Sequence, residues 1–193
     1  EHIATSAAYA STAIPLGTEV VGEGYVFRGP ELKRLSAEQF VDAIWMLTST
    51  APPKVIAPAT IPAFPDSTPA ERRFIRATLV DCDLLMRSLG RPNREQVVTT
   101  RPEQLTTLQA LDLANGEILT ATLARGAANI LKANPMLTPD QLAEWVFVRA
   151  LSRPPAEGER TAMRALLGDK PTPESVADLL WAVVMLPEFQ HVR

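Results

Sequence analysis

Residues 90–119 read GRPNREQVVTTRPEQLTTLQALDLANGEIL, and the fold turns on how this stretch is read. Gly90 supplies a left-handed turn that closes a preceding helix, and Pro92 keeps Arg91 out of helical geometry. Glu95 to Thr100 reads as extended chain, with Val97 and Val98 as its apolar pair and β-branched Thr99 and Thr100 behind them. Leu105, Leu108, Leu111 and Leu113, with Ala110, then leave only Gln109 and Asp112 as polar interruptions. That pattern predicts a short helix running through the middle of the fold, because a surface helix carries a wider polar face. Asn115-Gly116 ends it.

The same stretch holds the candidate ligand-binding residues Arg91, Arg94, Arg101 and Asp112. Guanidinium forks suit carboxylate and phosphate, so the three arginines can frame an anion pocket. The competing reading makes them structural clamps on Asp81, Asp83, Glu95, Glu103 and the last carbonyls of nearby helices. Structural ion pairs outnumber anion sites, and the clamp is the favoured reading.

Working outward, 193 residues predict one domain, residues 3–189, able to bury about 70% of its unfolded surface. A hydrophobic fraction of 46% and a charged fraction of 21% are those of an ordinary globular protein. The net charge of −3 leaves no electrostatic footprint for nucleic acid, and no apolar run reaches membrane-spanning length. The start at Glu1-His2-Ile3 reads as a piece cut from a longer multidomain chain. A lone Cys82 excludes an internal disulfide, and its neighbours Asp81 and Asp83 disfavour a thiolate. His2 and His191 sit near opposite ends, so no zinc or haem site, and no cofactor, is expected within this chain.

The flanking segments read as helices joined by long proline-rich loops. Ile3 to Tyr9 reads as the tail of a helix, and Tyr25-Val26-Phe27 as a β-flavoured patch. Ser36-Ala37-Glu38-Gln39 is a capping box that opens a helix burying Phe40, Val41, Ile44, Trp45 and Leu47. Pro52, Pro53, Pro58, Pro62, Pro65 and Pro69 make residues 51–69 an extended surface loop. Its Val55-Ile56 and Ile61 to Phe64 patches suggest a strap on the body. Residues 70–76 read as a helical turn or bridge, and Asp83 to Leu89 as a short helix.

Beyond the central stretch, Glu117 to Lys132 carries a stripe of Ile118, Leu119, Leu123, Ala127, Ile130 and Leu131. Thr138-Pro139 and Thr172-Pro173 are helix starts with a threonine cap and proline in the first helical position. The first of these helices buries Leu142, Trp145 and Val146, with Val148 and Leu151 as further candidates. The second buries Val176, Leu179, Leu180, Val183, Val184 and Leu186. Residues 156–167 make one more helix between them. The fold class that follows is all-α, an irregular bundle of about six to eight helices.

Five short motifs in order carry a resemblance. They are Ile3-Ala4-Thr5-Ser6-Ala7-Ala8-Tyr9, Arg34-Leu35-Ser36-Ala37-Glu38, Thr107 to Asn115 with its Gln-Ala-Leu core, Leu151-Ser152-Arg153-Pro154-Pro155 with Glu159, and Glu188-Phe189. Together they resemble the C-terminal domain of unknown function in large planctomycete-type secreted proteins that often carry an N-terminal cytochrome c domain. The chain departs from that pattern at Leu89-Gly90-Arg91-Pro92, where many members have Phe-Asp-x-Pro. It departs again at Asn115-Gly116, where many have Asn-Ser, and at Ala156, where a threonine often follows the two prolines. The resemblance implies an extracytoplasmic bacterial protein, periplasmic or secreted, whose partners are the other domains of its full-length chain, a cytochrome c domain among them. It implies no catalytic residues.

Two function classes remain. One is a non-catalytic module that scaffolds or docks other domains. The other is a carbohydrate- or anion-binding domain, or a polysaccharide-acting hydrolase or lyase using arginines and carboxylates such as Asp81, Asp83 and Asp112, which must converge for glycoside chemistry; for Asp81 and Asp83 the favoured reading is instead a cap on the helix beginning near Leu84.

Overall fold

The computed structural model of the chain describes residues 2, 5–7, 9, 11, 29, 32–52, 76–92 and 106–192. The expectations for Tyr25 to Phe27, Val55-Ile56, Ile61 to Phe64, Glu95 to Thr100, Leu105, Arg94 and Arg101 fall outside those residues. So does all but Arg76 of the bridge over 70–76, and all but Ala51 and Pro52 of the proline-rich loop. Of the expected N-terminal helix tail, Thr5, Ser6, Ala7 and Tyr9 lie in turns and a bend, with the Tyr9 N–H donating to Ser6 Oγ.

The described residues are mostly helical, as the periodicity predicts. Helix α1 (Ala37–Thr48) starts at the Ser36/Gln39 capping box and stops where Ser49 takes a left-handed φ of 54°. A 3₁₀ turn (Ala77–Leu79) precedes α2 (Leu84–Ser88), whose first turn is capped by Asp83 accepting the Met86 N–H at 2.7 Å. Gly90, at φ 96°, lets the chain leave α2. Then follow α3 (Thr107–Asn115), α4 (Glu117–Ala133), α5 (Pro139–Leu151), α6 (Glu157–Leu167), α7 (Pro173–Met185) and α8 (Pro187–Gln190). Thr138 and Thr172 both cap as their sequence context predicts, accepting from Gln141 and Ser175.

The helix that runs through the middle is α7, not α3. Val176, Leu179, Leu180, Val183 and Val184 of α7 are essentially inaccessible, and they face Leu119, Leu123, Ala127 and Ile130 of α4 in the most extensive helix–helix contact of the fold. The full apolar stripe of α7, repeated at three- and four-residue intervals, explains its position. Phe147 of α5, also fully buried, joins this core, whereas Val148 beside it is exposed.

Helix α1 approaches α4 closely at Gly126. A methyl group there would sit 2.6 Å from Thr48 Cγ2, so only glycine fits. One turn on, Asn129 Nδ2 donates to the carbonyls of Thr48 and Ser49, both at 3.2 Å. These are C-terminal carbonyls of α1 that lack intrahelical partners, and α4 supplies the missing donor. Gly116 is another tight position: it ends α3 and caps α4 as a single-residue joint, and a Cβ there would collide with the Asp112 carbonyl.

Two strands, β1 (Lys33–Arg34) and β2 (His191–Val192), pair antiparallel with Arg34 opposite His191. Two residues have no readable period, and the sequence reading missed them. Their pairing continues in a bond from the Leu35 N–H to the Gln190 carbonyl at 2.8 Å. Beneath it, Phe40 and Phe189 meet edge to face at 5.8 Å. The start of α1 is thereby fastened to the end of the described chain.

Candidate functional site

Arg91 is the candidate ligand residue that the structure defines most fully. It leaves α2 just after Gly90, and its side chain is only 12% exposed. The guanidinium donates to the carbonyls of Ala77 at 2.7 Å, Val80 at 2.9 Å and Thr78 at 3.4 Å, and lies 3.7 Å from Glu38 Oε1. From the same face of α1, Asp42 Oδ1 accepts the Ala77 N–H at 2.7 Å. Burial raises the Asp42 carboxyl above its usual range, opposed by that hydrogen bond and by Arg76. Glu38 and Asp42, one helical turn apart, thus hold the segment around the 3₁₀ turn against α1 through Arg91 and a backbone amide. Of the partners that the clamp reading expected, Arg91 takes backbone carbonyls and, in place of Asp81 or Asp83, Glu38. Asp83 is engaged as the cap of α2, and Asp81 is exposed.

Asp112 lies on α3, half-buried, and its side chain has no hydrogen bond or ion pair among the described residues. No such contact joins it to Arg91, Asp81 or Asp83 either. Arg94 and Arg101, which complete the candidate anion pocket, lie outside the described residues.

Helix α3 buries Leu113 as expected but reverses the burial of Leu108, Leu111 and Gln109. Leu108 is 62% exposed and Leu111 56%, while Gln109 is 3% exposed. The polar residue is inside because its amide serves two donors. Gln109 Oε1 accepts the Thr106 N–H at 3.2 Å, closing a capping box, and Arg34 Nη1 at 2.9 Å. With its hydrogen bonds met, a buried amide costs little, and Gln109 and Leu113 become the inward face. The outward face carries Thr107, Leu108, Ala110, Leu111, Ala114 and Asn115, with no charge among them. Trp181 of α7 lies against the end of the helix, its indole N–H donating to the Leu113 carbonyl at 3.2 Å, and remains 40% exposed.

Arg34 was not among the residues singled out for a site, and a two-residue strand offered no signal to find it. It is half-buried, and burial lowers its pKa with no acidic neighbour to oppose the shift. With Leu35, Phe40, Leu89 and Gln190 it lines a recess of about 10 Å³, room for about one water molecule.

Arg153 joins three elements. Its guanidinium makes a two-pronged contact with Glu159 of α6 at 2.8 and 2.9 Å, and another with Glu188 of α8 at 2.7 and 3.0 Å. It also lies over the Phe147 ring of α5 at 5.6 Å. The Glu159 carboxyl, held by Arg153 and by the Ala156 N–H, is pulled down to about 2. That amide bond is half of a capping box, since Ala156 has no hydroxyl to return it.

Among the described residues, no helix is long and apolar enough to cross a membrane, and no group of three or more His, Cys, Asp or Glu side chains is placed to hold a metal ion. No curated protein and no solved structure matches the chain. Residues 1–167 match the family described as protein of unknown function (DUF1553), PSD1, and the chain belongs to that family.

Proposed function

We propose that this chain is a non-catalytic helical module that docks neighbouring domains of a longer extracytoplasmic bacterial protein, a cytochrome c domain among the candidates. The observation that carries the reading is the outer face of α3. It presents Leu108 and Leu111 to solvent, with no charge between them. Exposed apolar side chains on a rigid, capped helix are the ordinary material of a protein–protein contact. Arg91 supports the same reading, because its donors already serve three carbonyls and Glu38. The extracytoplasmic setting and the cytochrome c neighbour rest on the family resemblance.

Hydrogen exchange tests the docking role. The amides of residues 107–115 should exchange more slowly in the longer protein than in the isolated 193-residue chain kept dilute enough to be monomeric, since a docked partner excludes water from them. Equal exchange in both would refute the reading.

A further inference from the structure

We propose that the outer face of α3 is a self-association surface, through which two copies of this chain pack antiparallel about a two-fold axis. The inference rests on the reading of this face as a docking surface and puts a second copy of the chain there in place of a neighbouring domain. Leu108 and Leu111 form the apolar centre of the surface. What selects the partner is the charge beside them.

Arg34 stands next to α3 through its bond to Gln109 Oε1, a neutral acceptor, and it has no carboxylate partner among the described residues. No buried side-chain nitrogen or oxygen among the described residues lacks a hydrogen bond. The Arg34 nitrogens without a hydrogen bond therefore keep some contact with solvent. Asp112 follows Gln109 by three residues and Leu108 by four, so it borders the leucines on the side where Arg34 sits. It is half-buried and has no side-chain partner among the described residues. One flank of the apolar face thus carries an unpaired cation and an unpaired anion, which do not pair with each other.

A second copy satisfies both at once. In an antiparallel pair of helices, the same flank of each faces the other. An isologous contact then places Arg34 opposite Asp112 of the partner subunit and repeats the pair through the two-fold axis. A guanidinium–carboxylate pair at the rim of an apolar contact fixes its register.

Sedimentation velocity on the 193-residue chain, from low to high micromolar concentration, tests this. A concentration-dependent monomer–dimer equilibrium is expected. Leu111→Ser, at an exposed position where the core is untouched, should weaken it about tenfold or more. Asp112→Arg should weaken it by a similar factor, and raised salt should weaken the wild-type dimer by screening the Arg34–Asp112 pairs. Circular dichroism on each variant confirms that it is folded. A chain that stays monomeric throughout, or a dimer indifferent to Leu111→Ser and to Asp112→Arg, overturns the proposal. A monomer whose α3 amides are nevertheless protected in the longer protein overturns self-association and leaves the docking reading in place.

Discussion

Arg153 and Glu188 stand 35 residues apart in the chain and meet through two hydrogen bonds, at 2.7 and 3.0 Å. The same guanidinium grips Glu159, so the turn after α5, the first turn of α6 and the short α8 share one fastening. Arg153→Ala should destabilise the fold by about 1–2 kcal/mol, the lower part of the range for charge-assisted bonds because the site is partly solvated. Arg153→Lys should recover only part, since an ammonium cannot face two carboxylates with a planar fork. Denaturant midpoints check both; identical midpoints for wild type and Arg153→Ala would refute the fastening role.

The same group predicts an acid limb. The Glu159 carboxyl titrates near 2 in the folded chain, against an ordinary value of 4.5. A depressed carboxylate contributes its full stabilisation above its unfolded value and loses it as pH falls toward the folded one. Stability should therefore decline between about pH 4.5 and pH 2 more steeply in the wild type than in Glu159→Gln. Parallel pH–stability profiles over that window would contradict the assignment.

Gly126 should tolerate no larger residue. Its Cβ position lies against Thr48, which is itself fully buried and bonded to the Ile44 carbonyl at 2.6 Å. Gly126→Ala is expected to cost about 1–3 kcal/mol as α1 is pushed off α4, although alanine favours helix. A Gly126→Ala variant with a raised melting temperature would show that the two helices are free to separate.

The span matched to the family ends at Leu167, before α7. A fragment of residues 1–167 should fail to melt cooperatively, because it lacks the five inaccessible α7 side chains, each contributing about 1.5–3 kcal/mol on burial. It also lacks Glu188 and Phe189, one half each of the Arg153 and Phe40 contacts. A sharp thermal transition in the fragment would mean that α4 packs without α7.

Much of this architecture was readable in advance, for a local reason. Ser36, Thr138 and Thr172 announce their helices through residues three positions on, and α7 shows its stripe within 13 residues. What escaped depends on distant partners. Counting apolar against polar positions sent the leucines of α3 inward. A buried Gln109 becomes stable only when Arg34, 75 residues away, supplies its second donor. Thr106-x-x-Gln109 was itself a readable cap signal, obscured by the leucines around it. Arg91 was legible as a clamp, but its acceptors are carbonyls of a turn that carries no side-chain signature.

The pairing of Lys33–Arg34 with His191–Val192 has a consequence for synthesis of the chain. As the polypeptide leaves the ribosome, α1 and α4 emerge before the ring that covers Phe40 and the helix that covers α4. Until then the apolar faces of α1 and α4 have no final partner, and such surface invites aggregation or capture by chaperones. Contacts this far apart in sequence also slow the search for the native state. Residues 173–192 therefore act as a timer: nascent chains stalled before α7 should remain protease-sensitive, and native resistance should appear only once α7 and α8 have left the exit tunnel.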